Sequence, residues 1–538
     1  MNITSFKKII CLILALIMAV CVIGCGDTEI EYIYMYESDG VPGEVGNVED
    51  GNSTETEPNK NQNNSSETNS SKNNSSKTTS SKNTSNTSSK KGTNSSDKNS
   101  SISSVVSSVV SYPSVSQDDL PKYKPTSLTV SFYDTSKSSY GFTWNTKFIP
   151  LKSAIQICEG STFNESKCVE YDATVTTELV NYPNQTTIYI SKAVATLRQG
   201  MTYTYRAYDK GAKIGSDITT FNTADFAASE FTFVHVSDSQ VSASGSDEEI
   251  KLGAGTGSHF ANTLTGIFKN KPSFLLHTGD IVEYSKYETY WENMLHTNAS
   301  FLTSLPFMPL SGNHETTYRS GSNEIFKHFN LKIPSQQTQK GFYYDFDYGN
   351  VKFIMLNTNC QEDEGLEKAQ YNWLVNTLKS NSKKWTIVSM HHPMYSIGKW
   401  GSNPEQNASA IRLTKQLSSL FTQYGVDLVL QGHDHTYSKT YPIKSDGTPD
   451  TNYEQRIESS VKYAVNPKGT IYAMHGPGGS QTRSPYSSYN KSLYEIAAAS
   501  KASSWAEIKV EQNRLTVKIK YYANGTENVF DSYGIIKE

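Results

Sequence analysis

The sequence is short of charge, of cysteine and of long apolar runs. Charged residues make up 19% of its 538 residues, and 49 Lys+Arg against 53 Asp+Glu leave a net charge of -4. That balance argues against a general nucleic-acid binder with a strongly basic face, although a local patch can hide in the average, and no nucleic-acid surface is evident. Hydrophobic residues amount to 36% and the mean hydropathy is -0.53, low for a chain folded throughout, so part of its length is expected to be unfolded. Of six cysteines, the three beyond residue 25 are Cys158, Cys168 and Cys360, an odd number without metal-site spacing. Cys158 and Cys168 flank the polar stretch Glu159 to Lys167. They either bridge across a hairpin or stand as two independent small core residues.

What is present begins with Lys7 and Lys8 before an uncharged run from Ile9 to Gly24. The run is shorter than the roughly 20 residues of a comfortable membrane span, and with its basic flank it reads as a signal peptide over 1–24. Val22-Ile23-Gly24-Cys25 resembles a bacterial lipobox. The resemblance implies a lipidated Cys25 and an exported cell-envelope lipoprotein, membrane-anchored and extracytoplasmic; a plain signal peptide with a chance Cys is the alternative. Residues 61–101 are almost entirely Ser, Asn, Thr and Lys, without an aliphatic or aromatic side chain. Such composition cannot offset a chain entropy of about 1–2 kcal/mol per residue, so 25–119 reads as a disordered stalk.

From 120 to 225 the pattern is short alternating stretches separated by turn residues: Ser127–Tyr133, Ser139–Trp144, Ala154–Cys158, Thr186–Ile190 and Thr202–Tyr208. This predicts an all-β sandwich. It holds no cluster of His and carboxylate, which favours a scaffold or binding role. Gly141-Phe142-Thr143-Trp144 and Tyr203-Thr204-Tyr205-Arg206-Ala207 resemble strands of a fibronectin type III-like domain.

The character changes over 226–538. Apolar strands are expected at Phe231–Asp238, Phe274–Asp280, Phe307–His314, Trp385–His392 and Val426–His435, with helical segments at His259–Lys269, Lys286–His296, Glu367–Lys379 and Ala408–Tyr424 between them. That alternation predicts an α/β domain. Each strand ends in polar, metal-competent residues: Asp238-Ser239-Gln240, Gly279-Asp280, Gly312-Asn313-His314-Glu315, His391-His392-Pro393 and Gly432-His433-Asp434-His435. In open α/β sheets the carboxyl ends of strands form the ligand crevice. Five of the eleven His fall in these motifs. Any one alone is weak; five in order are hard to reach by chance. His235 and His277, inside strands, read as structural, and His475 as a surface-loop residue. Tyr318 and Arg319 are either substrate contacts or solvated loop residues.

The series resembles the calcineurin-like metallophosphoesterases, and Gly432–Tyr437 followed by Thr440-Tyr441-Pro442 is similar to the purple acid phosphatase branch. The resemblance implies an αββα sandwich behind a fibronectin-like domain and a metal-dependent phosphoric ester hydrolase, which the N-terminal signal would make an exported one. Two metal ions, divalent or trivalent, would form its cofactor; carboxylate, amide and imidazole donors suit Fe, Mn, Zn or Mg. By resemblance Asp238, Asp280 and His435 would hold the first metal, with Gln240 a weak ligand or its place left to water. Asp280 would bridge to a second metal held by Asn313, His391 and His433. His314 would stabilise the transition state or protonate the leaving group, and Glu315 would orient it. His392 is as open to supporting a ligand or touching substrate as to ligation.

The tyrosine that colours purple acid phosphatases falls here at Glu283, with Tyr284 one residue on. The resemblance then implies exchangeable divalent metals and no tyrosinate-to-iron absorption. The substrate is expected to be a phosphate monoester. A phosphodiesterase or nucleotidase acting on nucleotides or envelope phosphodiesters is the alternative, and a non-catalytic surface binding protein the third reading.

Overall fold

A computed structural model describes residues 111–180, 185–242, 258–316, 324–335, 342–359, 361–362 and 364–538. The expected signal peptide, Cys25, nearly all of the expected stalk, Tyr318, Arg319 and Cys360 lie outside these residues. Among the described residues no helix is long and apolar enough to cross a membrane.

The first part is a two-sheet β-sandwich. One sheet runs in the order Thr126–Asp134, Ser139–Thr146, Thr186–Thr196, Thr174–Val180. The other runs Val169–Asp172, Ser153–Glu159, Thr202–Asp209, Ile214–Gly215, with Thr219–Asn222 also paired to Thr202–Asp209. Inward-facing aromatics close the core: Phe142 meets Tyr205 edge-on at 5.1 Å and Tyr205 meets Phe221 at 5.3 Å. Cys158 and Cys168 form a disulfide.

The second part stacks two sheets between helices. The eight-stranded sheet runs Phe307–Pro309, Leu275–His277, Phe231–Val236, Ser504–Glu511, Arg514–Ala523, Thr526–Ile536, Val461–Val465, Gln455–Glu458. The seven-stranded sheet runs Tyr344–Tyr348, Val351–Met355, Trp385–Ser389, Leu428–Gln431, Ile471–His475, Tyr437–Thr440, Tyr494–Ala498. Strand alternation sorts the faces. Phe353, Ile387, Leu428 and Ile471 join the core between the sheets, where Phe233 meets Phe353 at 5.1 Å. Their neighbours Ile354, Val388, Val429 and Tyr472 face the other way, onto Leu374 and Leu378 of helix Lys368–Ser380 and Leu413, Leu417 and Phe421 of helix Ala408–Gln423. Helix Ser258–Phe268 packs on strands Ser504–Glu511 and Arg514–Ala523 of the other sheet. The fold is thus αββα, with three parallel strands of each sheet (Phe231–Val236, Leu275–His277 and Phe307–Pro309; Trp385–Ser389, Leu428–Gln431 and Ile471–His475) directing their carboxyl ends toward connecting loops.

The expected strands are too long at these ends. They stop at Val236, His277, Pro309, Ser389 and Gln431. Asp238, Asp280, His433 and His435 beyond them adopt left-handed backbone, with φ of 50°, 54°, 78° and 50°, which no strand tolerates.

The sandwich is bonded directly to the edge strand that leads into the Asn-His motif. Ser131 Oγ donates to Phe307 O at 2.8 Å, and Phe132 packs on Phe274 and Phe346. Farther along, Thr129 Oγ1 donates to His328 O at 2.6 Å and Asn145 Nδ2 to Glu288 Oε1 at 2.9 Å. Glu288 Oε2 lies 3.6 Å from His328 Nε2, whose ring stacks on Trp291 at 4.2 Å. Burial, with the neighbouring Glu292, pushes Glu288 from 4.5 up to about 8. Burial holds His328 well below its ordinary value, so both are neutral near pH 7. Because the folded pKa of Glu288 is the higher one, its contribution is full below pH 4.5 and is lost as pH rises through 8. The unfolding free energy of Glu288→Gln should therefore gain on the wild type as pH rises from 5 to 8, by up to roughly 4 kcal/mol. Denaturant titrations at several pH values measure the difference; a pH-independent difference contradicts the assignment.

Candidate metal centre

Five loops meet where the parallel strands end. Gln240 joins Asp238, Asp280, His433 and His435 in the left-handed region, at φ 38°. Such backbone costs of order 1–3 kcal/mol per residue and persists where surrounding contacts impose it. Here they are visible. Gln240 N donates to Asp280 O at 2.9 Å, Asp238 N to Gly279 O at 3.0 Å, and His433 N to both oxygens of Asp238 at 3.0 and 3.1 Å. Gly312 is required by close approach, since a Cβ there would fall 2.0 Å from Asp280 Oδ1.

Asp280 is central to one cluster. Its Oδ2 lies 3.2 Å from His391 Nε2 and 3.8 Å from His314 Nε2, while Oδ1 accepts the His314 N–H at 2.9 Å. His391 Nε2 is also 2.9 Å from Asn313 Oδ1 and 3.2 Å from His433 Nδ1. Ligand atoms of Asp280, His391 and His433 all lie within 4.8 Å of one another. Alongside, Asp238 Oδ1 is 3.4 Å from His435 Nε2.

Two imidazoles are aimed by backbone carbonyls. His391 Nδ1 lies 2.8 Å from Thr278 O and His435 Nδ1 2.7 Å from Gln481 O. An Nδ1–H donated to each carbonyl turns the Nε2 lone pair inward, the arrangement of a metal-ligating His. Oxygen and nitrogen acceptors therefore converge with few protons to share. Burial opposes charge at each, yet His391 and His314 hold Asp280 well below the carboxylate range, and His435 lowers Asp238. His391 is raised to about 9 because Asp280 outweighs its burial; one proton takes up part of the negative potential. Gln240 Oε1 is buried without a hydrogen-bond partner, while its Nε2 lies 3.1 Å from His314 Nε2. Carboxylates, an amide oxygen and inward lone pairs around a buried point are a donor set for cations, so these residues fit metal ions.

The remaining assignments divide. Glu315 is fully buried and braces the loops rather than the His314 ring: Oε2 accepts from the N–H of Asp280 (2.9 Å) and Gly312 (2.8 Å), and Oε1 from Ile281 (2.8 Å). The His314 ring is held by Glu283 instead, with Nδ1 2.7 Å from its carbonyl and 3.8 Å from its carboxylate. Tyr284 packs edge-on against Tyr290 at 5.6 Å. His392 meets Thr358 Oγ1 through Nδ1 at 3.0 Å, its ring 4.7 Å from that of His433.

His475 is buried, contrary to its reading as a surface-loop residue: it ends a central strand, and its Nδ1 is 2.8 Å from His235 Nδ1 and its Nε2 2.8 Å from Tyr533 Oη. His235 and His277 are buried inside the first sheet, meeting Thr278 and Ser239 through their Nε2 atoms. Sequence reasoning passed over Thr278 and Gln481, whose types carry no motif, and gave Glu283 and Asp434 no part in holding the site, because their contacts come from distant loops.

Residues 231–437 match the family model described as calcineurin-like phosphoesterase. The chain carries a calcineurin-like phosphoesterase domain. Among curated proteins, the chain is 26% identical over 246 residues to an uncharacterized protein of Mycobacterium tuberculosis, covering 41% of this chain and 45% of that one. It is 28% identical over 194 residues to acid phosphatase type 7 of Homo sapiens, covering 34% and 41%. The chain thus spans less than half the length of these relatives. The structure of a purple acid phosphatase from yellow lupin (Lupinus luteus) seeds superposes with a TM-score of 0.63 at 18% identity, covering 77% of this chain and 75% of that one. This is a likeness of fold, and it covers more of the chain than the phosphoesterase match does.

The brace on this phosphoesterase domain makes a test. Glu315→Gln places an amide NH2 where a carboxylate oxygen accepts backbone N–H groups. Each orphaned donor costs about 1–3 kcal/mol, so unfolding free energy should fall by roughly 2–4 kcal/mol. Unchanged stability with lost turnover would instead make Glu315 a group that acts on substrate.

Proposed function

We propose that this chain is an exported, metal-dependent phosphoric ester hydrolase, an acid-phosphatase-like phosphomonoesterase with a two-metal centre. The observation that carries the reading is the convergence of Asp280, Asn313, His391 and His433 through acceptor atoms on four separate loops. Asp238, Asp280 and His435, with the orphaned oxygen of Gln240, would hold one metal; Asp280, Asn313, His391 and His433 would hold the other. Bound there, the pair neutralises phosphate charge and makes a nucleophile available near neutral pH.

The rest falls to side chains. Glu283 O fixes His314 through Nδ1, which directs Nε2 toward Asp280. Burial disfavours charge on His314, but Asp280 and Glu283 raise its pKa, a direction that suits a proton donor to the leaving oxygen. Glu315 keeps the Asp280 and Asn313 loops in place. Exchangeable divalent metals suit a centre in which Glu283 stands at the tyrosine position and the Tyr284 ring packs on Tyr290. In this reading 1–24 is a signal peptide, a lipidated Cys25 tethers the chain to the envelope, 25–119 is a stalk, and 120–225 is fibronectin type III-like, ahead of the phosphoesterase domain in 226–538.

Chelation should abolish hydrolysis of a chromogenic phosphomonoester, and a divalent transition metal should restore it. His314→Ala should cut turnover by about 10²–10⁴-fold with metal content nearly intact. Full activity after verified metal removal contradicts the two-metal reading. Loss of metal in His314→Ala contradicts the role given to that residue.

A further inference from the structure

Asp434 stands between two candidate ligands, yet its carboxylate holds a neighbouring loop. It is fully buried; Oδ2 accepts from Ser396 Oγ at 2.5 Å and Gly401 N at 2.9 Å, and Oδ1 accepts from Trp400 N at 2.9 Å. Gly398 is needed for this approach, because a Cβ there would lie 2.4 Å from Asp434 Cγ. The loop is thereby locked to the Gly-His-Asp-His segment, and Trp400 comes with it.

Trp400 differs from the other five tryptophans. Trp144, Trp291, Trp385 and Trp505 lie in the main apolar core, and Trp373 packs against the second. Trp400 belongs to neither, is only half-buried, and sets its indole 5.9 Å from the His433 ring at 45°. The His433 ring also meets His392 at 4.7 Å and His391 at 5.0 Å, so Trp400 extends an aromatic wall that begins at the metal-competent cluster. Over the indole stands the Lys399 ammonium, 5.7 Å from the centroid, at the outer limit of a cation–π contact.

We propose that Trp400 is a specificity-determining residue, stacking on the planar ring of the leaving alcohol of a nucleoside monophosphate whose phosphate meets the metal ions that Asp280, His391 and His433 would hold. This rests on the hydrolase reading: water adds at phosphorus, the ester P–O bond breaks, and the nucleoside leaves with a proton, giving nucleoside and inorganic phosphate. Phosphate binding recognises no leaving group; the indole supplies that recognition, and Asp434 is its positioning residue.

The test compares adenosine 5′-monophosphate with glycerol 2-phosphate on the metal-loaded full chain. Trp400→Ala should lower the ratio of their kcat/KM values by about 5- to 100-fold, the range for removing one base–aromatic stack, and Trp400→Phe should keep most of it. An unchanged ratio overturns the proposal. Where neither ester is hydrolysed the hydrolase reading fails, and adenosine binding then decides. Quenching of tryptophan fluorescence by adenosine in the wild type, lost in Trp400→Phe, upholds the ring subsite; no difference overturns it.

Discussion

Acceptors aimed at acceptors are the constraint on which the rest of the structure depends. Asp280, Asn313, His391 and His433 bring oxygen and nitrogen lone pairs within hydrogen-bond range of one another, with Asp280 and His391 buried and Asn313 and His433 half-buried. Without a cation that geometry is repulsive, and Asp280 answers it by raising the pKa of both His391 and His314. The protein holds it open by fixing each donor from behind. Thr278 O and Gln481 O turn two imidazoles, and the Glu315 carboxylate gathers three N–H groups from the Asp280 and Gly312 turns. Left-handed backbone at five non-glycine residues is part of the same cost.

The sandwich belongs to this account rather than beside it. Phe307–Pro309 is an edge strand, and the Asn313-His314 turn hangs from its end. Ser131, Thr129 and Asn145 bond that edge and the Glu288–His328 region to the first sheet of the sandwich. A mobile edge would loosen His314 and Asn313 together. Packing the sandwich there supplies rigidity on the side of the site that the phosphoesterase sheets leave uncovered.

Much of this was legible in the sequence because strand-end polar residues are local signals. Asp238, Asp280, Asn313, His391, His433 and His435 each follow an apolar run, and the structure brings all six together. The five strand positions were legible too, and the four long helices were located to within two residues of their ends. Strand ends were overrun, since alternation says nothing about a left-handed turn at Asp238 or Asp280. Roles set by long-range contact were not legible. Glu315 sits beside His314 in sequence, yet its partners are backbone groups 34 and 35 residues away as well as Gly312. His475 follows apolar residues and precedes Gly476-Pro477, which reads as a turn; only the sheet order shows it facing His235. Glu283 and Gln481 meet across 198 residues of chain.

The central claim is that this convergence is a two-metal site, and equilibrium titration of metal-stripped full chain with Mn²⁺ or Zn²⁺ tests it most directly. Calorimetry should find two saturable sites per wild-type chain, with Asn313→Ala losing or severely weakening one and keeping the other. A wild-type chain that binds no metal, or an Asn313→Ala chain that binds both ions with unchanged affinity, would contradict the account.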